Sequence, residues 1–216
     1  YTPIHQSGKK IYYVDYDMVQ AEIGWVRNAG SYDPYQQASV SLFNAYFGGA
    51  GGSLVYQYIR ESQALAYATY AVYVNSNDRN KENYIIGYVG TQSDKAPEAI
   101  AGMQQLLNEI PVSEKAFEAA KASMLNNLET QRIRQDGILN EYLRLKQLGI
   151  QQDLRKTTYN NLQKLTIEDM NRFHRTHFTG KDFAIVVLGS SKRLQLETLA
   201  KIAPVETLSL EQLFGY

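Results

Sequence analysis

Phe43-Asn44-Ala45-Tyr46-Phe47-Gly48-Gly49-Ala50-Gly51-Gly52-Ser53-Leu54, followed by Tyr58-Ile59-Arg60-Glu61 and Leu65-Ala66-Tyr67, is the stretch around which the rest of the chain arranges itself. Upstream, Asp33-Pro34 has the chemistry of a helix start, an aspartate cap followed by proline at the first helical position. Ala38, Leu42, Ala45 and Tyr46 give that helix an apolar stripe, and the glycines from Gly48 to Gly52 end it. Ser53 is expected to cap a short second helix reaching about Arg60. Leu65 to Val74 then reads as a strand, so the pattern is helix, glycine run, helix, strand.

Working outward, Lys10–Val14 and Val19–Val26 are β-branched and aromatic and predict two strands with a turn at Asp15-Tyr16-Asp17. Tyr84 to Val89 predicts a partner for the Leu65–Val74 strand, and the polar run 75–80 makes the two a hairpin. Ala96 to Ile110 predicts a helix stopped before Pro111. Ser113 caps a long helix with Phe117, Ala120, Met124 and Leu128 on one face, broken near Asp136-Gly137 and resuming to Gly149. Thr166-Ile167-Glu168-Asp169 resembles a capping box for a helix to about Thr176, and Phe183 to Leu188 predicts a buried strand. This order predicts an α+β fold, a mainly antiparallel sheet with helices on one face, formed as a single domain over 1–216.

Composition narrows the function. Lys+Arg and Asp+Glu both number 22, so no global field attracts nucleic acid or a membrane surface, and no apolar run is long enough for a membrane span. The absence of cysteine removes disulfides, thiolate zinc sites and cysteine catalysis, and it suits bacterial periplasm and cytoplasm equally. The opening Tyr1-Thr2-Pro3-Ile4, without methionine, is what a piece of a longer polypeptide would show. The 17 tyrosines suit a sheet, and they also suit a peptide-contacting surface.

Catalytic zinc needs three protein ligands, and the histidines are only His5, His174 and His177, with no H-E-x-x-H or H-x-x-E-H. His174 and His177 could approach one ion, but their place at a helix C-terminus beside Arg172 and Arg175 is explained by the helix dipole. The glycine run follows a helix and lacks Gly-Lys-Ser/Thr, so it is no phosphate loop, and Ser53 has no evident His/Asp pair. Arg60 and Tyr67 remain. Read from the residues alone, they serve as a helix-end arginine and a half-buried strand tyrosine.

The quoted stretch resembles the pitrilysin, insulysin and mitochondrial processing peptidase family of zinc metallopeptidases (inverzincins). That family carries L-N-x-x-L-G-G-G, a serine-led helix, and L-R-E-x-x-G-L-A-Y. The match departs at Ala64, where the family usually has glycine, and at Val55, where arginine is common. The element order fits the whole chain. The resemblance implies a LuxS/processing-peptidase-like metallohydrolase half, specifically the C-terminal, substrate-positioning half of a two-half peptidase.

In such proteins the other half carries H-x-x-E-H, holds the zinc and supplies the general base, and the halves close around a peptide. The resemblance places Ser41–Ala45 where that motif would stand, without ligands, and implies that Arg60 and Tyr67, seven residues apart, reach the bound peptide. It therefore implies no metal and no catalytic residue in this chain, zinc in an N-terminal partner half (same polypeptide or separate subunit), and a peptide substrate. Zinc would polarise the scissile carbonyl, while a tyrosine hydroxyl could donate to the oxyanion and a guanidinium to a peptide carbonyl. The alternative it leaves open is a non-catalytic scaffold or peptide-binding subunit with the same fold.

Overall fold

The computed structural model describes residues 8–49, 51–132 and 135–215. The alternating segments form β1 (Lys10–Asp15), β2 (Gln20–Ser31), β3 (Ala68–Val74), β4 (Glu82–Gln92), β5 (Ala184–Gly189) and β6 (Val205–Thr207). They pair as one six-stranded sheet in the order β3-β4-β2-β5-β1-β6. The β2–β4, β3–β4 and β2–β5 pairs are antiparallel, whereas β1 runs parallel to both β5 and β6. The expected α+β class holds.

The helices are α1 (Gln37–Phe47), α2 (Ala96–Asn108), α3 (Glu114–Thr130), α4 (Gln135–Gln147), α5 (Arg155–Lys164), α6 (Ile167–His177), α7 (Leu196–Ile202) and α8 (Leu210–Phe214). Caps set several of their starts. Asp33 accepts from Tyr35 N ahead of the Pro34–Gln36 turn that leads into α1, Ser113 accepts from Ala116 N, and Thr166 with Asp169 forms a reciprocal capping box. The break in the long helix falls after Thr130, just upstream of the expected Asp136-Gly137.

Odd-numbered side chains of the strands make the core: Ile11, Ile23, Trp25, Ala71, Tyr73, Ile85, Val89, Ile185 and Val187 are all buried. Against them pack α1, α2 and α6. Phe43 meets Phe173 and Phe178 at 4.7 and 5.0 Å between ring centroids, and Tyr73 meets Phe173 at 5.4 Å. Even-numbered side chains form the other face, which these helices leave uncovered; Val26, Tyr70, Val74 and Val186 are exposed there, whereas Val14 near the end of β1 is buried.

The β3 edge is closed by α1. Ala71 N donates to Gly48 O at 3.1 Å, and the Asn44 side chain both accepts from Tyr73 N (2.8 Å) and donates to Tyr73 O (2.9 Å). An amide side chain here imitates a neighbouring strand and satisfies an edge that would otherwise invite pairing.

Candidate functional site

The segment between Ser53 and β3 departs from the expected serine-capped α-helix. Ser53 is buried with no hydrogen-bond partner for its hydroxyl, so it caps nothing. Tyr56–Ser62 is π-helical, closing with bonds such as Gln63 N to Tyr58 O at 3.2 Å. The wider turn leads into Ala64 at φ +51°, the one left-handed non-glycine among the described residues. This reversal delays β3 to Ala68 instead of Leu65.

Left-handed backbone costs a residue with a Cβ roughly 1–2 kcal/mol. Ala64→Gly should therefore stabilise the chain by about 1 kcal/mol, less the entropy glycine adds to the unfolded state. A thermal melt should shift upward, by less than the roughly 2–4 °C that a full 1 kcal/mol would give. A downward shift would mean that the turn is not strained.

Arg60 sits exposed on the π-helical turn. Its Nη1 donates to the Tyr56 hydroxyl, and its guanidinium lies 4.9 Å from the Tyr56 ring centroid, a cation–π arrangement. Tyr67 is 52% exposed at the start of the edge strand. Its N donates to Gly90 O at 2.8 Å, and its hydroxyl oxygen accepts from Gln92 Nε2 at 3.1 Å. That bond anchors the phenol and leaves its proton available for an acceptor. Among the described residues nothing joins Arg60 to Tyr67; each is held by a neighbour of its own.

Next to Tyr67, the open face carries a group that the sequence reading did not single out. Tyr70 and Tyr88 are direct cross-strand partners with rings stacked at 5.3 Å and 23°. The Tyr88 hydroxyl reaches over Gly90 to donate to the Glu22 carboxylate on β2; a Cβ on Gly90 would lie 2.8 Å from that hydroxyl. Burial, and then the bond to Glu22, push the Tyr88 phenol up to about 12, so it stays a donor at neutral pH. The only signal in the sequence was the even-numbered alternation of β2 and β4.

The α1 positions that would bear a zinc motif hold no metal-binding set. Leu42 and Phe43 are fully buried, Ser41 accepts from Gln37, and both polar atoms of Asn44 are committed to Tyr73. Among the described residues no group of three or more His, Cys, Asp or Glu is placed to hold an ion. His174 points into the core, where its Nε2 lies 2.8 Å from Leu106 O, and His177 packs on Phe173 at 4.4 Å and Tyr73 at 5.1 Å. His5 lies outside the described residues.

A cavity of about 780 Å³ lies elsewhere, between α4 and the loop 149–155. Ile138, Tyr142 and Arg155 line it, while Arg60, Tyr67, Tyr88 and Glu22 do not.

A family model described as the peptidase M16 inactive domain matches residues 1–124. The chain belongs to this family. The M16 fold also recurs in solved structures. One is a peptidase M16 inactive domain from Pseudomonas fluorescens, with TM-score 0.75, 16% identity, and coverage of 87% of this chain and 45% of that one. Another is a protease from Helicobacter pylori, with TM-score 0.64, 12% identity, and coverage of 86% and 45%. At these identities the likeness is one of fold. Among curated proteins, "Non-peptidase homolog YmxG" of Helicobacter pylori (strain ATCC 700392 / 26695) is 23% identical over 149 residues, 68% of this chain. This M16 chain spans only 34% of that relative's length. The filled α1 positions agree with an inactive-type M16 domain.

Proposed function

We propose that the chain is a non-catalytic, peptide-holding M16 domain that lays an extended peptide across the open face of its sheet. In this reading residues 1–216 act as one domain, the second half of a longer two-half protein. The observation that carries it is the uncovered face itself. Tyr70, Tyr88, Gly24, Val186 and Tyr12 form one row across five strands, and Val72, Ile86, Val26 and Ala184 form the next. Rigid aromatic and β-branched side chains of this kind give contact area at low entropic cost. The non-peptidase name of the curated relative supports the non-catalytic part of the proposal.

The Tyr67 hydroxyl is held by the side chain of Gln92, at the end of β4, and as a phenol that accepts there it can still donate to a peptide carbonyl. In calorimetry with a blocked hexapeptide and a metal chelator present, the chain should bind, and Tyr67→Phe should weaken binding by about three- to tenfold, the loss of one hydrogen bond. Equal affinities would remove Tyr67 from the site. Loss of all binding in the chelator would point to a metal and overturn the reading.

A second reading makes the same face one wall of a closed chamber in which a zinc-bearing partner half cleaves the peptide. Its support is the Arg60–Tyr67 spacing. Swinging off Tyr56 would cost Arg60 only an exposed bond and cation–π contact, about 1 kcal/mol. An H-x-x-E-H sequence in the remainder of the full polypeptide or in a co-purifying chain, with cleavage slowed by Tyr67→Phe, would decide for it.

A further inference from the structure

We infer that Glu22, framed by Tyr70 and Tyr88 on the open sheet face, is a subsite for a cationic side chain, lysine or arginine, of the bound peptide. The inference rests on the peptide-holding reading and adds a substrate class to it. Glu22 is half-buried and its carboxylate accepts from the Tyr88 hydroxyl, yet among the described residues no lysine or arginine pairs with it. Farther along the same face, Lys10 is taken up by Glu206 and so does not pair with Glu22.

A half-buried carboxylate is costly without a partner, and one phenol hydrogen bond leaves most of its acceptor capacity unused. The surroundings suit a cation. The stacked rings of Tyr70, 39% exposed, and Tyr88 present aromatic faces, which attract ammonium and guanidinium groups. Beside them the face is cut back to backbone. In the register, Gly24 lies between Tyr88 and Val186, and a Cβ there would meet only Gly87 O, at 4.0 Å. A long side chain can lie in that depression with its stem on Val186 or Leu188 and its charge on Glu22, as amphipathic lysine and arginine chains do. Gly90 is itself buried and adds nothing to that space; it lets the Tyr88 ring end pass over to Glu22.

The test compares two blocked hexapeptides on the full chain, one with a central lysine and one with norleucine, which has the same four-carbon stem and no charge. A desolvated cation–π and carboxylate contact predicts about fivefold tighter binding of the lysine peptide, with the advantage shrinking in 0.5 M salt. Glu22→Gln keeps an acceptor for Tyr88 and removes the charge; it should bind both peptides with the affinity the wild type shows for norleucine. If the wild type binds both equally, the cation subsite is overturned while the peptide-holding face stands. Should neither peptide bind, both readings fall. The wild-type comparison needs no variant to fold.

Discussion

Gly48→Ala should be among the most damaging small substitutions in this chain, costing about 3 kcal/mol or more. A Cβ at this position would sit 2.2 Å from the carbonyl oxygen of Ala71 and 2.7 Å from its nitrogen, and backbone cannot rotate aside as a side chain can. The reason is space rather than a left-handed backbone, because φ at Gly48 is negative, at −152°. Relief requires the end of α1 to lift from β3. That would break Gly48 O to Ala71 N and draw the Asn44 clamp off Tyr73.

The same glycine run supplies its own controls. A Cβ on Gly51 would have no atom within 4 Å, so its alanine variant should change stability by less than about 0.5 kcal/mol. Gly52 is equally open but sits at φ +89°, so its alanine variant should cost about 1 kcal/mol. Urea denaturation of the three variants should give the order Gly48 far above Gly52, and Gly52 above Gly51. Equal effects at Gly48 and Gly51 would mean that α1 does not seal the sheet edge.

The second large effect is on pH dependence. His174 is 1% exposed, stacks on Phe178 at 5.3 Å and is ringed by Phe43 and Phe47. Burial, with Arg175 adding to it, pushes its imidazole down to about 4 from an ordinary 6.5, although the bond to Leu106 O works the other way. Since Leu106 O can only accept, Nε2 carries the proton of the neutral ring.

Between pH 6.5 and 4 the unfolded chain therefore binds a proton that the folded chain refuses. The folded state holds its full advantage above pH 6.5 and loses up to about 3 kcal/mol as pH falls to 4. Burial and Arg27 push His177 in the same direction, so it adds to the loss. The carboxylates held low by hydrogen bonds, Asp15 and Asp169 among them, contribute only at lower pH. Urea midpoints from pH 7 to 4.5 should fall steeply in the wild type. In His174→Gln, which can still donate to Leu106 O, the fall should shrink to what His177 supplies. An unchanged slope in the variant would move the effect elsewhere.

These two positions show what was legible in the sequence. Asp33-Pro34, Ser113 and Thr166–Asp169 announce helix starts because caps are local chemistry. The hairpin of β3 and β4 was visible in its polar loop. The parallel seat of β1 between β5 and β6 was not, because it joins the two ends of the chain and parallel register leaves no turn signal. The three-residue β6 carries too little alternation to detect. Ser53 looked like a cap, but the adjoining turn is π-helical and buries the hydroxyl instead.

At the site, Arg60 and Tyr67 were read from their spacing, which says nothing of where each side chain rests. Arg60 rests on Tyr56 and Tyr67 on Gln92. The Glu22–Tyr88–Tyr70 group escaped notice because it is assembled from three strands, β2, β4 and β3, by register alone.

The central claim, that a non-catalytic M16 domain carries peptide on its open sheet face, is tested most directly by mapping backbone amide shifts. The full chain would be titrated with the norleucine hexapeptide in the presence of a chelator. The account predicts shifts concentrated in β2, β3 and β4 around Gly24, Tyr67, Tyr70 and Tyr88, with the peptide recovered intact. Shifts confined to α4 and the 149–155 loop around the 780 Å³ cavity, with the sheet silent, would contradict it.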